Sequence, residues 1–89
     1  MERKLLFVYN PKAGKAQIRN KLADILDVFA QEGYEITVAP TQKRDDARAV
    51  VAGRRKDYEL IVCSGGDGTL DEVVTGMIQS GLRTPIGYI

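Results

Sequence analysis

Leu60-Ile61-Val62-Cys63-Ser64-Gly65-Gly66-Asp67-Gly68-Thr69-Leu70-Asp71-Glu72-Val73-Val74 changes its period partway along one continuous stretch. Leu60 to Cys63 is an unbroken apolar run, the pattern of a strand covered on both faces. Gly65, Gly66 and Gly68 then interrupt it. From about Thr69 to Ser80 the spacing turns helical, with Leu70, Val73, Val74, Met77 and Ile78 at i, i+3, i+4, i+7 and i+8. A buried strand, a glycine turn and an amphipathic helix in succession make the repeating unit of a parallel α/β sheet.

The same unit recurs upstream. Lys4 to Asn10 holds the run Leu5-Leu6-Phe7-Val8-Tyr9 and reads as a first strand. Ala16 to Glu32 reads as a helix, with Ile18, Leu22, Ile25, Leu26 and Phe29 on one stripe and Gly33 as its left-handed stop. Tyr34 to Ala39 is a second strand closed by Pro40. Thr41 to Lys56 is a weaker helix, with Ala47, Val50 and Val51 inward and Asp45-Asp46 at its positive end. Tyr58 to Cys63 is the third strand, and Pro85 to Ile89 starts a fourth after Gly81 ends the third helix. The expected fold is α/β, a three-layer, doubly wound, mostly parallel sheet in the order β-α-β-α-β-α-β, with right-handed crossovers. The chain stops inside an apolar strand, so residues 1–89 are expected to be the N-terminal part of a longer protein.

Composition narrows the chemistry. Eighty-nine residues allow one small domain, burying roughly two thirds of its unfolded surface. With no His and one Cys, imidazole catalysis, multi-Cys metal sites and disulfide scaffolds are excluded. Cys63 reads as a buried core residue. The net charge of +1 argues against nucleic acid as a partner. The longest apolar run falls far short of the roughly 20 residues of a membrane span, and a reduced, cytoplasmic protein is expected. The charge is nonetheless blocked: residues 1–21 and 43–56 are basic, residues 22–42 and 57–89 acidic. Blocks of this kind usually make solvated faces, but the first also surrounds a glycine turn.

Ligands of open parallel sheets bind beyond the carboxyl ends of the strands. Two polar turns lie at such ends: Asn10-Pro11-Lys12-Ala13-Gly14-Lys15 and Ser64-Gly65-Gly66-Asp67-Gly68-Thr69. If the first and third strands are neighbours, both turns open onto one crevice. Gly14, Lys12, Lys15 and a helix N-terminus suit a phosphate group. The three glycines around Asp67 are expected to take positive φ and aim successive N–H groups inward as an anion nest. A carboxylate there must hold a metal ion, accept a hydroxyl or turn back onto its own loop. The first turn is not a P-loop, since Tyr9 stands where glycine is needed and Ala16 where Ser or Thr is needed. The second is not a dinucleotide fingerprint, which would require glycine at Asp71. Tyr9, Tyr34, Tyr58 and Tyr88 sit at strand boundaries and read as packing residues.

Gly65-Gly66-Asp67-Gly68-Thr69 with Leu70-Asp71-Glu72-Val73-Val74 resembles the nucleotide-binding signature of the diacylglycerol kinase catalytic domain, the family of diacylglycerol, sphingosine and ceramide kinases. The Asn10-Pro11 turn with Gly14 matches that family's first loop, and Thr41 a threonine it places near the nucleotide. The resemblance covers essentially the whole chain. It implies transfer of the ATP γ-phosphoryl group to a lipid hydroxyl such as that of diacylglycerol, with Mg²⁺. By the same resemblance Asn10, Pro11, Lys12, Ala13, Gly14, Gly65, Gly66, Asp67, Gly68, Thr69, Leu70, Asp71 and Glu72 line the ATP phosphates and ribose, Thr41 touches the nucleotide, and Asp67 orients the nucleotide loop or acts on Mg²⁺. It also implies that the rest of the domain and a β-rich second domain, with the lipid site and the catalytic base, lie outside these residues, so the fragment alone is inactive. Asp71 departs from the family's usual Asn and can only accept or bind metal. A soluble NAD kinase-like enzyme and a non-catalytic phosphate-binding module are the alternatives. Arg54-Arg55-Lys56 reads either as a contact to an anionic inner-membrane surface or as a solvated helix end, and a homodimer stays open.

Overall fold

The computed structural model describes residues 3–12, 17–53, 58–81 and 83–89 of the chain. Four strands and three helices alternate: β1 (Arg3–Tyr9), α1 (Gln17–Gln31), β2 (Tyr34–Pro40), α2 (Asp46–Gly53), β3 (Leu60–Ser64), α3 (Asp67–Ser80) and β4 (Ile86–Tyr88). The strands form one parallel sheet in the order β2-β1-β3-β4. The doubly wound α/β reading holds. So does the adjacency of the first and third strands, with Leu5 opposite Leu60 and Tyr9 opposite Ser64.

The continuous apolar runs follow from helices on both faces. In β1 the side chains alternate between two cores. Leu5 and Phe7 join Val62 beneath Leu22, Ile25 and Phe29 of α1. Leu6 and Val8 join Ile61 and Cys63 beneath Ala47 and Val51 of α2 and Val73 and Met77 of α3. Leu5, Leu6, Phe7 and Val8 are fully buried, each contributing about 1.5–3 kcal/mol of transfer free energy. At the amino end of the sheet Arg3 closes the edge. Its guanidinium lies 4.1 Å from the centre of the Tyr34 ring, donates to the Tyr34 hydroxyl and the Glu32 carbonyl at 2.7 Å, and sits 3.5 Å from Glu59. Stability contacts gather at this end, leaving the carboxyl end to the polar turns.

Several boundaries differ from the sequence reading. α2 begins at Asp46 rather than Thr41, because Asp45 takes a left-handed φ of 74° that a right-handed helix cannot run through. β3 begins at Leu60 rather than Tyr58, and β4 is confined to Ile86–Tyr88. α3 begins at Asp67, so Gly68 and Thr69 lie in its first turn. That overturns the glycine nest: of Gly65, Gly66 and Gly68, Gly65 alone has positive φ (152°), while Gly66 is extended at φ −82°. Gly33 and Gly81 do take left-handed φ of 90° and 71° at the ends of α1 and α3, as expected. The expected α3 stripe is rotated. Val73 and Met77 are buried, whereas Val74 and Ile78 are 37% and 75% exposed.

The rotation has a cause at Gly76. A Cβ there would stand 2.7 Å from the Arg48 carbonyl oxygen of α2 and 3.2 Å from Val51 Cβ. Glycine lets the two helices approach backbone to backbone, which turns Gly76, not Val74, into the seam. Gly76→Ala should gain up to ~1 kcal/mol of helix propensity yet lose more to overpacking, about 1–3 kcal/mol. A thermal melt is expected to show a lowered Tm, by about 4–8 °C for each kcal/mol of net loss. A raised Tm would mean that the helices are not in contact there.

Cys63 gives a second measurement. Burial pushes its thiol pKa up, so the folded state keeps the proton that the unfolded chain releases near pH ~8.5. The stability tied to it is therefore full below that pH and lost as pH rises through it. Alkylation at pH 8 should be slow in the native protein and rapid once denaturant unfolds it.

Candidate functional site

The strand order decides which loops meet. Reversal of winding between β1 and β3 opens a crevice at their carboxyl ends. The Asn10 amide donates to the Ser64 carbonyl at 3.0 Å, extending the β1–β3 ladder one step beyond the strands. The Asn10 side-chain carbonyl then accepts from the Lys12 amide at 2.9 Å, an Asx turn that folds the chain over the sheet end. On the other side of β1, the Thr41 amide and hydroxyl both donate to the Tyr9 carbonyl, at 2.8 and 3.3 Å. Thr41 and Ser64 are thus tied to two consecutive residues, Tyr9 and Asn10, at the end of the central strand.

The turn after β3 is set by Gly65. A Cβ at this position would lie 2.6 Å from Thr69 Oγ1 and 3.3 Å from Asn10 Cβ, and its φ of 152° suits glycine alone. The Tyr88 hydroxyl donates to the Gly65 carbonyl at 2.9 Å, so Tyr88 braces the turn as well as ending β4. Gly66 caps α3 without any side-chain hydrogen bond, which leaves first-turn amides of the helix open to an outside acceptor.

These turns bound an open cavity of about 290 Å³, lined by Asn10, Lys12, Thr41, Gln42, Lys43, Arg44, Gly68, Thr69 and Glu72. Six of the nine are expected site residues. Pro11, Gly65, Gly66, Leu70 and Asp71 are not among its lining residues: Leu70 packs on the core beside Val73, and Asp71 is exposed. Ala13, Gly14, Lys15 and Arg54-Arg55-Lys56 lie outside the described residues, as does the Asp67 side chain. Gln42, Lys43 and Arg44 were missed. Their signal was available as two cations directly after a strand end, but it was absorbed into the helix expected from Thr41.

Glu72 lines the cavity and is also bonded to the backbone at the start of α2. Its Oε2 and Oε1 accept from the amides of Asp45 and Ala47 at 3.1 and 3.2 Å, capping α2 from α3. Asp46 Oδ2 accepts from the amides of Gln42 and Lys43 at 2.7 and 3.2 Å. Arg48 grips Asp45 through Nε and a terminal nitrogen at 2.8 and 2.6 Å, and that hydrogen bonding lowers the Asp45 carboxyl pKa and raises that of Arg48. Among the described residues no three carboxylate or thiol groups gather around a metal-sized site, and both Glu72 oxygens are occupied. Lys12, Lys43 and Arg44 make the cavity predominantly cationic, the charge expected of an anion site.

The chain is similar to known proteins in both sequence and structure. The model of the diacylglycerol kinase catalytic domain matches residues 4–89. A diacylglycerol kinase of Staphylococcus carnosus is 36% identical over 92 residues, covering 100% of this chain and 29% of the relative. One of Bacillus subtilis is 37% identical over 83 residues, covering 92% of this chain and 27% of the relative. The crystal structure of a diacylglycerol kinase from Bacillus anthracis strain Sterne superposes with a TM-score of 0.86 at 28% identity, over 98% of this chain and 32% of that one. The chain thus spans under a third of the length of these relatives, and it belongs to the diacylglycerol kinase catalytic domain family.

Proposed function

We propose that this chain is the ATP-binding part of a lipid kinase that transfers the γ-phosphoryl group of ATP to a lipid hydroxyl. The observation that carries the reading is the cationic cavity at the β1/β3 switch point, bounded by the Asn10 turn, Thr41 and the uncapped first turn of α3. Phosphoryl transfer asks the protein mainly to position the reactants and neutralise charge. Amides at the start of α3 and the Lys12 ammonium would take phosphate oxygens. Thr41, already donating to Tyr9, keeps hydroxyl lone pairs to accept from the nucleoside. Asp67, by its place in the glycine turn, is our candidate for orienting the nucleotide.

In the reaction the lipid hydroxyl oxygen bonds to the γ-phosphorus, the bond to the β–γ bridging oxygen breaks, ADP leaves and the hydroxyl proton passes to a base. We assign that base and the lipid-binding surface to the parts of such proteins that these 89 residues do not match. Magnesium, when carried in on the triphosphate, neutralises phosphate charge. The lipid substrate makes contact with a membrane surface necessary for the full-length protein, and no helix among the described residues is long and apolar enough to cross one.

The test is phosphate transfer from radiolabelled ATP in the full-length gene product. Diacylglycerol in mixed micelles should be phosphorylated, while the 89-residue chain alone should leave it unlabelled. Labelling of NAD with lipids untouched would move the protein to the soluble nucleotide kinases. Gly65→Ala pushes against Thr69 and Asn10, and should lower kcat/KM for ATP by about tenfold or more, ~1.4 kcal/mol, with the circular dichroism spectrum retained. Unchanged kcat/KM would take the glycine turn out of the site.

A further inference from the structure

Gln42, Lys43 and Arg44 form a wall of the cavity, and they lie outside the motifs that mark the family resemblance. The segment that carries them is clamped at both ends. Upstream, the Thr41 amide and hydroxyl are bonded to Tyr9 of β1. Downstream, the amides of Asp45 and Ala47 are bonded to Glu72 of α3. Asp46 Oδ2 ties the amides of Gln42 and Lys43 from within. Asp45 takes a left-handed φ of 74°, which costs an L-residue free energy that the surrounding contacts must supply. Arg48 anchors that residue and also donates to Gln79 of α3 at 3.0 Å.

So heavily braced a loop would be superfluous as a mere connection. What it holds in place is two adjacent cations facing the same cavity as Lys12. Among the described residues neither Lys43 nor Arg44 has an ion-pair partner, whereas Arg3 and Arg48 do. Glu72, the one acidic residue among the described lining residues, spends both carboxylate oxygens on backbone amides at the N-terminus of α2, where its charge is matched locally. A polyanion in the cavity would be attracted by all three cations at once.

We propose that Lys43 and Arg44 are further phosphate contacts of the cavity and that Glu72 is the positioning residue that holds their segment there. The ligand class is a nucleoside polyphosphate, with affinity rising with phosphate number. The nucleoside part rests on the function proposed above, whereas the polyphosphate part stands on these residues alone. Glu72 then acts through the loop rather than on the nucleotide.

Calorimetric titration of the full-length gene product with ATP, ADP, AMP and inorganic tripolyphosphate separates these claims. The exposed pair Lys43→Gln/Arg44→Gln should weaken ATP by about tenfold or more, ADP by less, and AMP by under about twofold. Glu72→Gln, which replaces one acceptor by a donor facing an amide, should weaken ATP in the wild-type background. In the Lys43→Gln/Arg44→Gln background it should add nothing further, because the groups it positions are gone. Unchanged ATP affinity in the double variant overturns the phosphate contacts. A Glu72→Gln effect that persists in that background, or that weakens AMP as much as ATP, overturns the positioning role. If the wild type binds tripolyphosphate but not ATP, and the double variant binds neither, the nucleotide reading fails while the anion contacts stand. If the wild type binds neither ligand, both fail.

Discussion

The central place of β1 is the constraint from which the rest follows. It is hydrogen-bonded to β2 on one side and β3 on the other, and its side chains are buried on both faces. A strand so enclosed cannot tolerate a polar residue before its end, and the chain stays apolar from Leu5 to Tyr9. The first polar groups after it must therefore emerge together at one edge of the sheet. Tyr9 and Asn10 are where they emerge: one gives its carbonyl to Thr41, the other its amide to Ser64. Three loops that are far apart in sequence are thereby tied to two consecutive residues, and the cavity is the space between them.

A second constraint works at a distance from the cavity. α2 and α3 touch through Gly76, and their close approach brings Glu72 within hydrogen-bond reach of the first amides of α2. Polar capping and apolar packing are then one device. A side chain at position 76 that pried the helices apart would lengthen the bonds from Asp45 and Ala47 to Glu72, and the wall carrying Lys43 and Arg44 would move with them. The same link explains why a charged residue is tolerated beside a core residue such as Val73: its oxygens are satisfied by backbone donors that would otherwise be left to water.

How much of this could be read from the sequence depends on how local the cause was. The strands were legible because Leu5–Tyr9 and Leu60–Cys63 carry the signature of two-sided burial within their own few residues. Gly33 and Gly81 were legible as helix stops because the left-handed stop is a property of one residue. The start of α2 was not legible, since what fixes it is the left-handed turn at Asp45 and a cap from Glu72, which a distant segment supplies. The glycine turn was misread for the opposite reason. Three glycines permit positive φ but do not compel it, and helix formation from Asp67 captured Gly68. In the candidate site, the family motif pointed to Asn10, Lys12, Thr41, Gly68, Thr69 and Glu72, but Gln42, Lys43 and Arg44 needed the sheet order before they could be placed.

The charge blocks acquire a meaning from the same sheet order. Basic residues cluster before residue 22 and again from residue 43, with an acidic stretch between. Along the chain this looks like alternating solvated faces. In the fold the ends of β1 and β2 are adjacent, so Lys12 of the first basic block meets Lys43 and Arg44 of the second around one cavity. The acidic stretch between them forms the later part of α1 and the start of β2, where it does not neutralise them. A net charge of +1 therefore coexists with a concentrated positive field at the mouth of the cavity, and a cleft with low-dielectric walls focuses such a field. The adjacency of the ends of β1 and β2 is what converts an unremarkable charge total into a cationic site at an end of the sheet where the backbone also offers free donors.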